Sequence, residues 1–222
     1  MLSFKEILQE GVYDPTIFKG IFLAGGPGSG KSYVAHNTTG GHGFKMVNSD
    51  DIFEKMLKDK GLKTTPEDIY SDKGQKIRLK AKALLKKKKQ MYINGRLGLI
   101  IDGTGKDYEK IKKQSERLRD VGYDTMMIFV NTSLEVALQR NEKRKRTLPM
   151  EQVIEMWKGV QKNIGHFQSY FKSNNFLIVD NNDAGEDVLS KVWKKVMKLA
   201  KQKPQNKIAA QWIKQQKDLK KR

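Results

Sequence analysis

Residues 25–32 read Gly25-Gly26-Pro27-Gly28-Ser29-Gly30-Lys31-Ser32, the spacing G-x-x-x-x-G-K-[ST] of a phosphate loop. An apolar run, Gly20-Ile21-Phe22-Leu23-Ala24, precedes it and reads as a strand. Tyr33-Val34-Ala35-His36 follows and can continue as a helix. That context gives the motif its meaning. Glycines let backbone N–H groups turn inward around a triphosphate, and the N-terminus of the following helix adds positive partial charge. In such a loop Lys31 reaches the β- and γ-phosphates and the Ser32 hydroxyl ligates Mg²⁺. A bound nucleoside triphosphate, ATP with Mg²⁺, is therefore expected.

Outward from this loop, short apolar runs recur with helical stretches between them. Ile21–Ala24, Phe44–Val47, Leu97–Ile101, Thr125–Val130 and Phe176–Val179 are the strand candidates. Such alternation predicts an α/β fold whose parallel sheet is covered on both faces. Several helix starts are legible. Thr65-Pro66-Glu67-Asp68 joins a cap, a first-turn proline and two acids, and predicts a long helix from about Pro66 that ends at the Lys86–Lys89 run. Thr132-Ser133-Leu134-Glu135 reads as a capping box, and Asp183-Ala184-Gly185-Glu186 has the same spacing. Pro149 suits the first turn of a helix reaching about Phe171, and Gly122 can stop a helix that runs from about Tyr108. The chain divides into an N-terminal amphipathic segment (1–19), a nucleotide-binding domain (20–183) and a basic helical extension (184–222).

The chain has 222 residues with a formal net charge of +19, mostly from lysine, and no cysteine. The charge points to polyanionic partners, nucleic acid first and an anionic membrane surface second. Lysine suits non-specific phosphate contact better than bidentate base readout. The absence of cysteine excludes a disulfide framework and a cysteine nucleophile, and fits a reducing compartment. No apolar run approaches the ~20 residues that span a bilayer, and the first residues lack the apolar core of a secretory signal. The expected location is cytoplasmic, with no membrane partner. About half of the charge excess lies beyond Glu186, where the polar end past Pro204 reads as a frayed solvated tail or as a nucleic-acid arm.

Candidate chemistry clusters at strand ends. The second strand closes in Val47-Asn48-Ser49-Asp50-Asp51. In a parallel sheet the strand C-termini open onto the ligand crevice, so a carboxylate here faces the phosphate loop. Asp50 is the candidate general base for an attacking hydroxyl, and Asp51 the candidate cap of the following helix. The third strand runs Leu99-Ile100-Ile101-Asp102 into Gly103-Thr104-Gly105; Asp102 sits where a carboxylate supports Mg²⁺, usually through water. Arg140, Arg144 and Arg146 cluster in Arg140-Asn141-Glu142-Lys143-Arg144-Lys145-Arg146. Arg140 and Arg144 share a helix face and are candidates to cover the γ-phosphate, where charge spreads during transfer. His36, His42 and His166 show no metal-ligand spacing.

Taken in order, these pieces resemble the small P-loop kinases, most closely the phage-type polynucleotide 5′-kinases and the zeta-toxin-like kinases, over roughly residues 20–180. Asn48-Ser49-Asp50-Asp51 is similar to the polynucleotide-kinase segment whose first Asp is the general base. The Asp102-Gly103-Thr104-Gly105 stretch looks more like the zeta-toxin strand, in which an acid precedes Gly-Thr-Gly. Arg140-Asn141-Glu142-Lys143-Arg144 is similar to the arginine-bearing lid of polynucleotide kinases, and Arg146 could instead match the later lid arginine of zeta toxins. The resemblance implies a five-stranded P-loop NTPase-type sheet of order 2-3-1-4-5 that uses ATP and Mg²⁺. Polynucleotide kinases place an arginine three residues after the catalytic Asp; this chain has Phe53 there. The start resembles capsid-targeting peptides of tailed phages, with Leu8-Gln9-Glu10-Gly11 similar to a prohead-protease cleavage pattern. Three functions follow as expectations. The first is a kinase of a hydroxyl on nucleic acid or a nucleotide. The second is a zeta-toxin-like kinase of a nucleotide sugar or another small acceptor. The third is a basic nucleic-acid-binding, virion-packaged protein that uses nucleotide as a structural ligand.

Overall fold

The computed structural model describes residues 12–39, 43–143, 147–183 and 185–219. The amphipathic segment expected ahead of Asp14 lies mostly outside these residues, as do His42, Arg144 and Arg146. Strand β1 (Lys19–Ala24) is buried at all six positions. Its alternation sends Ile21 and Leu23 to one face and Phe22 and Ala24 to the other, as expected of a central strand covered on both sides. Around it lie β2 (Lys45–Val47), β3 (Leu99–Asp102), β4 (Asp124–Asn131) and β5 (Phe176–Asp180), paired in the order β2-β3-β1-β4-β5. Every pairing is parallel. Both the class and the strand order match the expectation.

One face packs Ile21, Leu23, Ile100 and Ile128 against Val34 and Ala35 of α1 (Lys31–Thr39) and against Val192, Val196 and Leu199 of α9 (Glu186–Lys201). The other packs Phe22, Ile101 and Phe129 against Leu118 of α5 (Tyr108–Asp120), Val160 of α7 (Met150–Gln161) and Phe167 and Phe171 of α8 (Ile164–Asn175). Each fully buried Phe, Leu or Ile contributes ~1.5–3 kcal/mol. A separate apolar cluster of Phe53, Leu57, Ile69, Ile77 and Ala81 joins α2 (Ser49–Asp59), α3 (Pro66–Tyr70) and α4 (Asp72–Asn94). Between α5 and α7 in sequence lies α6 (Leu134–Glu142).

Local chemistry overrides several expected boundaries. The helix from Pro66 is broken at Ser71, whose extended backbone and hydroxyl, accepting from the Gly74 N–H at 3.0 Å, restart it as α4. Helix α4 then runs past the lysine run to a cap at Gly95. Pro149 is itself the cap of α7, and the helix expected to reach Phe171 is interrupted at Lys162–Asn163. Ser133, rather than Thr132, caps α6 by accepting from the Val136 N–H. Helix α9 starts at Gly185 with no side-chain cap, so Asp183 does not serve as one. Past Pro204 the chain is an ordered helix, α10 (Lys207–Leu219), instead of a frayed tail. Ala209 is fully buried, and Trp212 meets Phe18 edge-on at 5.5 Å. Its entry is tied down at Asp124, which accepts the Gln205 and Asn206 N–H groups at 2.8 and 3.1 Å.

Candidate active site

The parallel register brings every strand C-terminus to one edge of the sheet. Val47 pairs with Ile101 and Leu23 with Asp102, so the chain leaving β2, the loop leaving β1 and the carboxylate ending β3 stand side by side. The phosphate loop connects β1 to α1. Gly28 (φ 73°) and Gly30 (φ 82°) hold left-handed backbone. A Cβ on Gly28 would lie 2.5 Å from the Ala137 carbonyl, and one on Gly30 would overlap the Asn181 side chain. Only glycine fits both the torsion and the space. The Gly25 N–H donates to the Thr104 carbonyl at 3.0 Å, locking the phosphate loop to the loop after β3.

Lys31 opens α1. Its ammonium donates to the Gly25 carbonyl at 2.8 Å and the Gly26 carbonyl at 3.4 Å, and so lies across the mouth of the loop. Ser32, in the first turn of the same helix, is exposed. Asp102 is half-buried. Its Oδ2 accepts from the Asn48 amide at 3.1 Å, whereas its Oδ1 is buried with no hydrogen-bond partner. Burial raises its pKa; Lys31 opposes that rise, Asp50 and Asp51 add to it, and the Gly103 N–H opposes it. Three other sequence-predicted groups, Lys31, Asp50 and Asp51, thus lie within electrostatic reach of Asp102. Asp51 is raised as well, first by desolvation and then by Asp50, with Lys88 pulling the other way.

The cap of α2 is Asn48, whose Oδ1 accepts from the Asp50 N–H at 2.8 Å. This corrects the expectation for Asp51: both aspartates sit in the first helical turn, and neither caps. Asn48 therefore does two jobs, closing α2 with one end of its amide and holding Asp102 with the other.

Arg140 reaches the phosphate loop from α6. Its guanidinium donates to the Gly28 carbonyl at 3.4 Å and to the Asn182 carbonyl at 2.8 Å, clasping the loop to the chain after β5. Arg144 lies outside the described residues. At the end of α6 the buried Asn141 donates to the Leu148 carbonyl at 2.8 Å and accepts the Leu148 N–H at 3.1 Å. Sequence reasoning missed Asn141 and also Asn181, which donates to the Ser29 carbonyl at 2.7 Å. For Asn181 the signal was there, since Asp180-Asn181-Asn182 ends the fifth strand at the same edge as the loop.

Phe53 is buried, and the Arg78 guanidinium lies 4.5 Å above its ring. Among the described residues no group of three His, Cys, Asp or Glu could hold a metal alone. The orphaned Asp102 oxygen and the Ser32 hydroxyl fit the other arrangement, in which the triphosphate supplies most of the ligands to Mg²⁺. No helix among the described residues is long and apolar enough to cross a membrane.

The family model described as zeta toxin matches residues 14–191. Human adenylate kinase isoenzyme 1 is 25% identical over 128 residues, 57% of this chain and 64% of that protein, so the chain spans a little under two thirds of that relative. A gluconokinase from Sinorhizobium meliloti 1021 superposes with a TM-score of 0.52 at 15% identity, covering 83% of this chain and 94% of the other. The AvrRxo1-ORF1:-ORF2 structure with ATP gives 0.60 at 16% identity, over 78% of this chain and 57% of that one. At such identities the structural likenesses speak for the fold.

Proposed function

Because this chain belongs to the zeta toxin family and has the sheet of small P-loop kinases, we propose that it is an ATP-dependent kinase moving the γ-phosphate of ATP to a hydroxyl of a nucleic acid or nucleotide. One observation carries the reading: Asn48 accepts the Asp50 N–H and donates to Asp102, and Asp102 pairs in register with Leu23 at the end of β1, just before the loop that Lys31 spans, so cradle cation, metal-side carboxylate and candidate base stand at one edge of the sheet. The loop amides and the α1 N-terminus bind the triphosphate. Lys31 exchanges the Gly25 and Gly26 carbonyls for phosphate oxygens. Asp50 accepts the proton of the acceptor hydroxyl as its oxygen attacks the γ-phosphorus; the bond to the β-bridging oxygen breaks, and ADP leaves with that electron pair. Ser32 and, through water, Asp102 would hold Mg²⁺, which neutralises charge on the phosphates. Arg140 steadies the loop from behind, and reaching the γ-phosphate would require it to release Gly28. Arg144 remains the other candidate for that role.

The Asp102-Gly103-Thr104-Gly105 stretch and the family match favour a second acceptor class, a nucleotide sugar or a comparable small molecule. A γ-labelled ATP screen against 5′-hydroxyl oligonucleotides and nucleotide sugars separates the two by which product carries label. Asp50→Ala should lower transfer by ~10²–10⁴ with ATP binding intact; retained transfer in that variant removes Asp50 from the mechanism.

A further inference from the structure

Beneath the loop after β3, a cleft of about 1420 Å³ opens between α4 and α5 and runs from Asp102 out to Val121. That exceeds the ~300–1,000 Å³ of ordinary small-molecule sites. The 13 residues of α5 give its wall a length of about 20 Å at ~1.5 Å per residue. Cations line both walls: Lys82, Lys86 and Lys89 from α4, Lys110 and Arg117 from α5. Among the described residues the ion pairs are Lys19–Asp124 and Lys106–Glu155, so none of these five is paired. Four acids, Asp102, Asp107, Glu109 and Asp120, line the cleft as well; none of them forms an ion pair with the five, and Asp107 Oδ1 accepts the Lys110 N–H at 3.0 Å.

Lys89 has only the Gln114 amide oxygen as a partner, at 3.4 Å, and burial, with Arg117 and Lys110 beside it, lowers its pKa to about 8. One turn before Lys82 on the same face of α4, Arg78 carries two buried guanidinium nitrogens, Nε and Nη2, without hydrogen-bond partners. Buried cations left unsatisfied are expensive in a folded chain. Lys82, Lys86, Lys110 and Arg117 are exposed, so the cleft presents like charges facing one another across an open groove, which a ligand of several phosphates would relieve.

We infer that the α4–α5 cleft is the track for a single-stranded polynucleotide acceptor, its backbone phosphates resting on Lys82, Lys86, Lys89, Lys110 and Arg117 and its terminal hydroxyl at the inner end beside Asp102 and Asp50. This rests on the kinase reading for the role of the bound strand; binding itself does not. Both the length and the volume of the cleft exceed what a single nucleotide fills, which is why the polymer is favoured over a nucleotide sugar.

The test measures binding without ATP. Fluorescence anisotropy of the full chain with labelled 5′-hydroxyl di-, hexa- and dodecanucleotides should show affinity rising with length. It should fall steeply with salt, at ~0.7 of a log unit per log unit for each phosphate neutralised. The triple variant Lys86→Gln/Lys89→Gln/Arg117→Gln should weaken dodecamer binding at least about tenfold and lower the salt slope by about 2, with ATP affinity held and a melting temperature no lower than the parent's. The control Lys191→Gln/Lys194→Gln/Lys198→Gln, on α9, removes equal charge elsewhere and should change binding little. Equal losses in the two triples, no oligonucleotide binding by the parent chain, or competition by a nucleotide sugar as strong as by the dodecamer would each overturn the inference. A cleft triple that binds normally and still transfers phosphate sinks the track and leaves the kinase standing. A parent chain that binds the dodecamer with the expected length and salt dependence but transfers phosphate to no acceptor does the reverse.

Discussion

Two aspartates at opposite ends of the sheet show how differently one residue type is used. Asp124 begins β4. Its carboxylate accepts from Lys19 at 2.8 Å and from the N–H groups of Gln205 and Asn206, so each oxygen is occupied. Asp102 ends β3 with one oxygen held by Asn48 and the other buried and unpartnered. The first holds the C-terminal helix against the domain. The second is kept short of partners at the edge where the phosphate loop opens. A carboxylate with both oxygens partnered holds structure, and one left partly unpartnered at the phosphate-loop edge is available to a ligand.

The largest expected effect lies at the satisfied end. Asp124→Ala leaves the Lys19 ammonium, whose side chain is fully buried, without a counter-charge, at a cost of ~3–5 kcal/mol. A drop of roughly 10 °C in melting temperature follows, with turnover per folded molecule unchanged; an unmoved transition would break the comparison. At the other end the sign reverses. Asp102 has a folded-state pKa raised by burial. Its ionised form therefore weakens the fold at neutral pH, and stability returns as pH falls through the raised value toward 3.8. Asp102→Asn should melt no lower than the parent at neutral pH, should lose the parent's relative gain on acidification, and should transfer phosphate ~10²–10³ more slowly. Lys89 is the same argument with a cation. Between about 8 and the ordinary 10.5 the unfolded chain holds a proton that the folded chain has released, so this group's contribution to stability rises with pH across that window. Lys89→Met should stabilise the protein at neutral pH by ~1–3 kcal/mol while weakening oligonucleotide binding. A variant that gained no stability would mean that the cleft cations are not crowded at all.

Much of this was legible in the chain. The strands could be read because each is a short apolar run fenced by turn residues, and the phosphate loop because its glycines and Lys31 have fixed spacing around a strand–helix junction. Asp102 and Asp50 could be placed because parallel register sends strand ends to one edge. Less legible was anything settled by one side chain choosing among backbone donors. Asn48 took the cap expected of Asp51, Ser133 that expected of Thr132, and Ser71 split the helix expected to run on from Pro66. Asn141 and Asn181 contact residues 7 and 152 positions away, and no local pattern announces such partners. The basic tail could not be assigned from charge, because Ala209 and Trp212 acquire their meaning only when Phe18 and Asp124 are beside them.

Asn48 joins the two kinds of site, and its substitution should have the smallest and most specific effect. Serine caps a helix about as well as asparagine, so Asn48→Ser keeps α2 closed and removes only the 3.1 Å donor to Asp102. Stability should change by no more than ~1 kcal/mol. The functional change is a displacement. Without the amide, the ionised carboxylate loses a partner that favours it, its pKa rises further, and the acid limb of the transfer rate moves to higher pH. Asn48→Ala removes cap and donor together, so it should show the same displacement with a further loss of ~1 kcal/mol. If the acid limb stays put in Asn48→Ser, Asn48 is a cap alone, and the Asp102 carboxylate is held by the fold rather than tuned by its neighbour.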